Sequence, residues 1–175
     1  MREKQVAREH YQFSEYMDKR RWASMWHQLD EVLALQPRRV LEIGPGPGVF
    51  KALAAVSGVA VETLDLDPDL APDHVAPADA MPFADQAFDV VCAFQMLEHV
   101  PYEAAQAIFA EMCRVARTHV VISLPDARAG WPYSLHVPRK GDLRLILPRP
   151  RRGPPEHVFD GQHHWELSTR GYPVG

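Results

Sequence analysis

Three glycines alternate with two prolines at Gly44-Pro45-Gly46-Pro47-Gly48, directly after the apolar run that ends at Ile43. Glycine has no Cβ, so such a turn lets the backbone approach a ligand closely, while Pro45 and Pro47 stiffen it and remove two N–H donors. A helix beginning near Val49 would aim its first N–H groups at a carboxylate or phosphate held in the turn. Asp65 stands 21 residues beyond Gly44, about the separation at which an acidic side chain reaches ribose hydroxyls in nucleotide-binding folds. The two features together point to a ligand that contains a nucleoside. A dinucleotide fingerprint, G-x-G-x-x-G/A, would need a small residue where Val49 stands, because a larger side chain crowds the helix–strand contact. A nicotinamide or flavin cofactor is therefore disfavoured.

These residues need a scaffold, and hydrophobic periodicity supplies one. Trp22, Met25, Trp26, Leu29, Val32 and Leu33 fall at the three-and-four spacing of one helix face, which Pro37 terminates. Residues 39–43 form a short apolar strand, residues 49–57 a helix stopped by Gly58, and residues 59–64 a second strand closed by Asp65-Leu66-Asp67-Pro68. A third, short strand fits residues 73–77, although only about ten residues separate it from the second. Residues 88–94 (FDVVCAF) and 119–124 (HVVISL) read as strands around a helix at 103–116, whose apolar face carries Ala105, Ile108, Phe109, Met112 and Val115. Alternating strands and helices predict an α/β, Rossmann-like fold: a mostly parallel sheet with helices on both faces. The chain divides into a helical cap (1–37), a core (38–124) and a segment rich in Pro, Arg and His (125–175). In that last segment only residues 143–147 suggest a short helix or strand.

Composition sets the outer limits. The 175 residues fit one globular domain, and a net charge of -4 gives no global reason to expect nucleic acid. The N-terminus, Met1-Arg2-Glu3-Lys4-Gln5, leads into more charge, and no apolar run approaches the ~18 residues of a membrane span, so a cytoplasmic protein with no membrane association is expected. Cys92 and Cys113 have no metal-ligand spacing and read as reduced core thiols.

Residues 40–48 (VLEIGPGPG) resemble the first motif of class I S-adenosylmethionine-dependent methyltransferases. Asp65-Leu66, then Asp79-Ala80-Met81-Pro82-Phe83 followed by Phe88-Asp89-Val90-Val91, then residues 95–101 (QMLEHVP), resemble that family's later motifs in the same order. The resemblance covers residues 39–124. It implies S-adenosylmethionine as cofactor. Glu42, Gly44, Pro45, Gly46 and Gly48 would line its methionine part, Asp65 would hold the ribose and Leu66 would pack near the adenine. Asp79, with the backbone N–H groups of Ala80 and Met81, would hold the adenine edge, and Phe94 and Gln95 would border the cofactor after the fourth strand. Tyr11, Tyr16, Trp22 or Trp26 would form a lid, although packing of the tryptophans on the sheet is the stronger expectation.

A sulfonium methyl is already activated, so in-line positioning of the acceptor supplies most of the catalysis. The sequence identifies no catalytic residue: His99 has a base's pKa, but a structural loop histidine is the simpler reading. Relatives acting on RNA ends or on quinone precursors carry E-x-x-E-H here with a divalent cation. This chain has Gln95-Met96-Leu97-Glu98-His99, whose amide is a poorer ligand for a hard cation, so no metal is expected. His163 and His164 are expected in a solvated tail, Asp67 in an exposed turn, and the arginines from Arg139 to Arg152 in a solvated loop.

The expected function is methyl transfer to a small-molecule acceptor. The alternatives are a non-catalytic S-adenosylmethionine-binding module and, less favoured, an NAD-dependent oxidoreductase. The family's sheet ends in a strand hairpin, and the 51 residues after Leu124 show no pair of strand-like apolar runs. A C-terminally shortened methyltransferase, self-associating through an exposed fifth-strand edge, is therefore expected.

Overall fold

The computed structural model describes residues 17–128, 130–148, 150 and 153–173. Tyr11, Tyr16, Arg149, Arg151 and Arg152 lie outside them. Helix α1 (Lys19–Ala34) starts where the Asp18 carboxylate accepts the Arg21 N–H at 2.7 Å. It stops before Gln36, which turns left-handed (φ 52°) ahead of Pro37. Then follow β1 (Arg39–Ile43), α2 (Val49–Val56), β2 (Ala60–Asp65), β3 (His74–Val75), β4 (Phe88–Phe94), α3 (Tyr102–Val115) and β5 (Ala116–Ser123).

The sheet runs β3-β2-β1-β4-β5 with every neighbour parallel, the Rossmann-like arrangement expected. Side chains alternate between its faces, as strand geometry requires. Leu41, Ile43, Val91 and Ala93 pack with Ile108, Met112 and Val115 on one face; Val40, Val61, Val90 and Cys92 pack with Val32, Phe50 and Ala54 on the other. On α3 the buried stripe is Ala105, Ile108, Met112 and Val115, which leaves Phe109 43% exposed beside it. Cys92 is a core thiol, but Cys113 lies on the solvent side of α3 and is exposed.

The tryptophans of α1 depart from both expectations for them. Trp22 and Trp26 are half exposed, neither packed on the sheet nor facing the cavity described below, because the helix leans on the core through Val32, Leu29 and Leu33. The C-terminal segment also holds more structure than its composition suggests. The main sheet ends at β5 with no inserted hairpin, yet β6 (Gly130–Val137) and β7 (Gly141–Pro148) form a separate antiparallel pair. Alternation of apolar and polar residues in both strands was the signal, hidden by Pro132 and Pro148. Beyond it the chain returns to the core. Trp165 is buried, donates its indole N–H to the Val100 carbonyl at 3.1 Å and meets Tyr102 edge-on, while the N–H of Leu167 reaches Pro125. At the β5 edge Arg117, Thr118 and His119 are exposed, so polar side chains blunt half of it.

Candidate active site

The carboxyl ends of β1, β2 and β4 open into one cavity of about 1480 Å³, the position at which open α/β sheets bind ligands. That volume exceeds the ~300–1,000 Å³ of an ordinary small-molecule site and leaves room for two ligands.

The floor is the glycine turn. Gly44, Gly46 and Gly48 all take positive φ (67°, 51° and 71°), so the turn is built from the conformation glycine adopts without cost. A Cβ on Gly44 would lie 2.6 Å from Cγ of Met96, so this glycine also sets how closely the loop after β4 approaches. Beside the turn, Glu42 is 4% exposed, and its Oε2 has no hydrogen-bond partner. Burial pushes its carboxyl up to about 8, against the pull of Lys51. A buried carboxylate without a partner is costly, and a cationic ligand group would relieve it. The same burial, with the neighbouring Glu42 charge, holds the Cys92 thiol protonated.

At the end of β2, Asp65 is partly buried and its Oδ1 accepts the Asp67 N–H at 2.9 Å. Burial raises its carboxyl, while N–H bonds from Asp67 and Leu66 oppose the rise. Asp67 is not the exposed turn residue expected: it is 9% exposed, lines the cavity and caps the following turn by accepting the Asp69 N–H. Leu66, Asp79, Phe94 and Gln95 line the cavity too, as do Pro45 and Gly46. Gln95 sits at φ 52°, the kind of strained non-glycine backbone that gathers at functional sites.

Three of the anticipated cofactor residues stand elsewhere. Gly48 caps α2 away from the cavity. The Ala80 N–H donates to the Pro77 carbonyl at 3.2 Å, and the Met81 N–H to Glu111 at 3.0 Å. Met81 itself is 5% exposed in the core. Both N–H groups are therefore already engaged, that of Ala80 by Pro77 within the turn and that of Met81 by Glu111, which Arg114 fixes. Conversely, the periodicity that marked the apolar face of α1 passed over Arg21, Ser24 and Gln28, which line the cavity beside Met25. Their spacing of three and four residues was the available signal.

Across from the turn, Glu98 is fully buried and neither carboxylate oxygen has a hydrogen-bond partner from another described residue. Burial raises its carboxyl to about 7, and the charge of Glu166 adds to the rise. Burial holds His99 below its usual value, although its Nδ1 lies 3.1 Å from the Gln162 carbonyl. His163 is not in a solvated tail. The tail is pinned by Trp165 and by the His164 N–H, which donates to the Glu98 carbonyl at 2.8 Å. This brings the His163 ring to 5.0 Å from that of His99. One ligand atom each from Glu98, His99 and His163 lies within 4.8 Å of the other two.

A parallel α/β sheet with a glycine turn, a buried carboxyl beside it and an acid after the second strand defines a domain of the Rossmann-like class. The chain belongs to the methyltransferase domain family, whose description matches residues 8–166. It is 31% identical over 168 residues to an uncharacterised methyltransferase of Mycobacteroides abscessus, covering 85% of this chain and 57% of that one. It is 34% identical over 92 residues to one of Mycobacterium marinum, covering 46% and 35%. The chain thus spans about half the length of the first relative and about a third of the second. Two solved structures share the fold. A Pyrococcus horikoshii protein aligns with a TM-score of 0.57 at 18% identity, over 81% of this chain and 84% of its own. The Burkholderia thailandensis 1,6-didemethyltoxoflavin-N1-methyltransferase, solved with 1,6-didemethyltoxoflavin and S-adenosylhomocysteine, aligns at 0.54 and 21% over 80% and 70%.

Proposed function

We propose that this chain binds S-adenosylmethionine at the ends of β1 and β2 and transfers its methyl group to a small acceptor held beside Glu98, His99 and His163. The observation that carries the reading is the buried carboxyl of Glu42 beside the glycine turn, whose Oε2 has no hydrogen-bond partner and which a cationic ligand would satisfy. The Burkholderia neighbour, which holds a cofactor product and an acceptor together, agrees with a cavity sized for two molecules. Residues 38–124 would form the cofactor core, residues 1–37 a cap, and residues 125–175 the acceptor side.

The cofactor supplies a methyl group already activated by its sulfonium. Glu42 holds the ammonium end, Gly44 and Gly46 let that end lie against the backbone, and Asp65 accepts from the ribose hydroxyls. Met96, Val100, Ile108 and Leu124 give the acceptor an apolar wall, and the tail around Trp165 keeps water from it. His99, kept neutral by burial, is placed to receive a proton from an acceptor hydroxyl.

Asp65→Ala tests the cofactor half. A charge-assisted hydrogen bond is worth roughly 1.5–3 kcal/mol, so affinity for S-adenosylhomocysteine should fall roughly 10- to 150-fold with the fold retained. Calorimetry showing unchanged affinity in a folded variant removes the ribose role. Methyl-transfer turnover against candidate acceptors then separates an enzyme from a binding module.

A second reading of the acceptor side rests on the convergence of Glu98, His99 and His163, one carboxylate and two imidazoles at ligand spacing. A divalent cation there would satisfy the orphaned Glu98 oxygens and lower the pKa of an acceptor hydroxyl. On this reading Mn²⁺ or Zn²⁺ raises the thermal midpoint of the protein and leaves that of Glu98→Gln unmoved. Equal shifts, or none, leave proton transfer to His99 directly.

A further inference from the structure

The β6–β7 hairpin presents an apolar face that nothing in the described structure covers. Tyr133 pairs with Leu145 and Leu135 with Leu143 across the ladder, and the two-residue period puts all four on one face with Leu147. Their exposures run from 42% for Leu147 to 61% for Leu143. A two-stranded hairpin is marginal in water by itself, so this face needs an apolar surrounding to be stable. Charge narrows what that surrounding is. Residues 130–152 carry six Arg or Lys and a single Asp, a local net charge of +5 in a chain whose total is -4. Arg139 and Lys140 are exposed at the hairpin turn itself. A second copy seated on this face would add the same basic stretch again and no acidic surface to offset it. An anionic lipid surface accepts both features, the apolar face entering the headgroup region while the cations meet the lipid phosphates.

We propose that the β6–β7 hairpin docks this domain on anionic membrane surfaces. Its place in the chain gives the docking a consequence. Leu124 and Pro125, just before the hairpin, and Phe159 with Gly161 to His164, after it, both border the cavity. The hairpin is thus an excursion between two segments of the cavity wall, on the side where the parallel strands end. Docking through it tethers the domain to the bilayer at the chain segments that form that wall. No helix of the described residues is long and apolar enough to cross a membrane, and the attachment proposed for the hairpin is peripheral.

The test is co-sedimentation of the 175-residue chain with vesicles of phosphatidylcholine alone or mixed with phosphatidylglycerol. The bound fraction should be at least about tenfold higher on the anionic vesicles and should fall as salt rises, because contacts to exposed charges are screened. Leu145→Glu and the pair Arg139→Glu with Lys140→Glu should each return binding to the phosphatidylcholine level. None of the hairpin's described side chains belongs to the core clusters, so these variants should keep the thermal midpoint and the S-adenosylhomocysteine affinity of the parent. That affinity reports on the cofactor reading separately, whichever way the vesicle result falls. A chain that stays in the supernatant with anionic vesicles overturns the proposal. So does light scattering that shows a dimer dissolved by Leu145→Glu, which assigns the face to a second copy. Binding to polyglutamate in preference to vesicles would also overturn it, in favour of an acidic protein partner.

Discussion

Gly46→Val is expected to abolish binding of S-adenosylmethionine, an effect of more than about 100-fold, while leaving the sheet folded. Two physical effects act together at this position. Gly46 occupies φ 51°, where an L-residue pays roughly 1–3 kcal/mol of backbone strain and a β-branched one the most. It also lines the cavity, so the two valine methyl groups would stand where the ligand must approach the backbone. Gly46→Ala should fall between the two, since it adds the strain with one methyl group. Calorimetry with S-adenosylhomocysteine, beside circular dichroism to confirm the fold, reads the result. Tight binding retained in Gly46→Val would mean that the turn only connects β1 to α2.

Removing the charge of Glu42 should change both stability and affinity, in opposite pH regimes. Its carboxyl is held near 8 in the folded, unliganded chain, against about 4.3 in an unfolded one. Because the folded pKa is the higher, the folded state keeps a proton that the unfolded state gives up. The contribution is therefore intact below about pH 4.5 and is lost progressively as pH rises to 8, on the order of 4–5 kcal/mol across that window. Glu98, held near 7, adds a slope of the same sign that ends about one unit earlier. Urea denaturation of the unliganded protein should accordingly show stability falling from pH 5 to pH 8. In Glu42→Gln the fall should be smaller and should stop near pH 7, leaving the Glu98 part. Ligand affinity should move the other way in the parent, rising with pH toward 8 as the carboxylate forms, and should drop at least about tenfold in the glutamine variant. An unchanged stability slope in Glu42→Gln would show that this carboxyl titrates like a solvated one and does not seek a cation.

The parts legible in the sequence were those governed by local rules. β4 occupies residues 88–94, the bounds its apolar run implies, and the turns after β1 and β2 are announced by glycine, proline and aspartate. Even the two-residue β3 could be anticipated, since it must pair beside β2. The errors came where tertiary partners intervene. Ala80 and Met81 look like free backbone donors until Glu111, 30 residues on, is seen to hold the Met81 N–H. Trp22 and Trp26 satisfy a helical period, but a helix that packs its apolar side chains on the core through Leu29, Val32 and Leu33, near its end, leaves its first turns outside. His163 could not be placed by composition, because its position depends on Trp165 finding a slot beside Tyr102 and Val100. The hairpin was obscured by prolines at Pro132 and Pro148, which a two-stranded ribbon tolerates because every strand in it is an edge.

If this cavity selects S-adenosylmethionine over a dinucleotide, titration calorimetry of the chain against S-adenosylhomocysteine and NAD in parallel will separate the two. S-adenosylhomocysteine should bind saturably and one to one, weakened by Asp65→Ala and lost in Gly46→Val, with no heat from NAD. Saturable binding of NAD with no response to S-adenosylhomocysteine would contradict that selectivity.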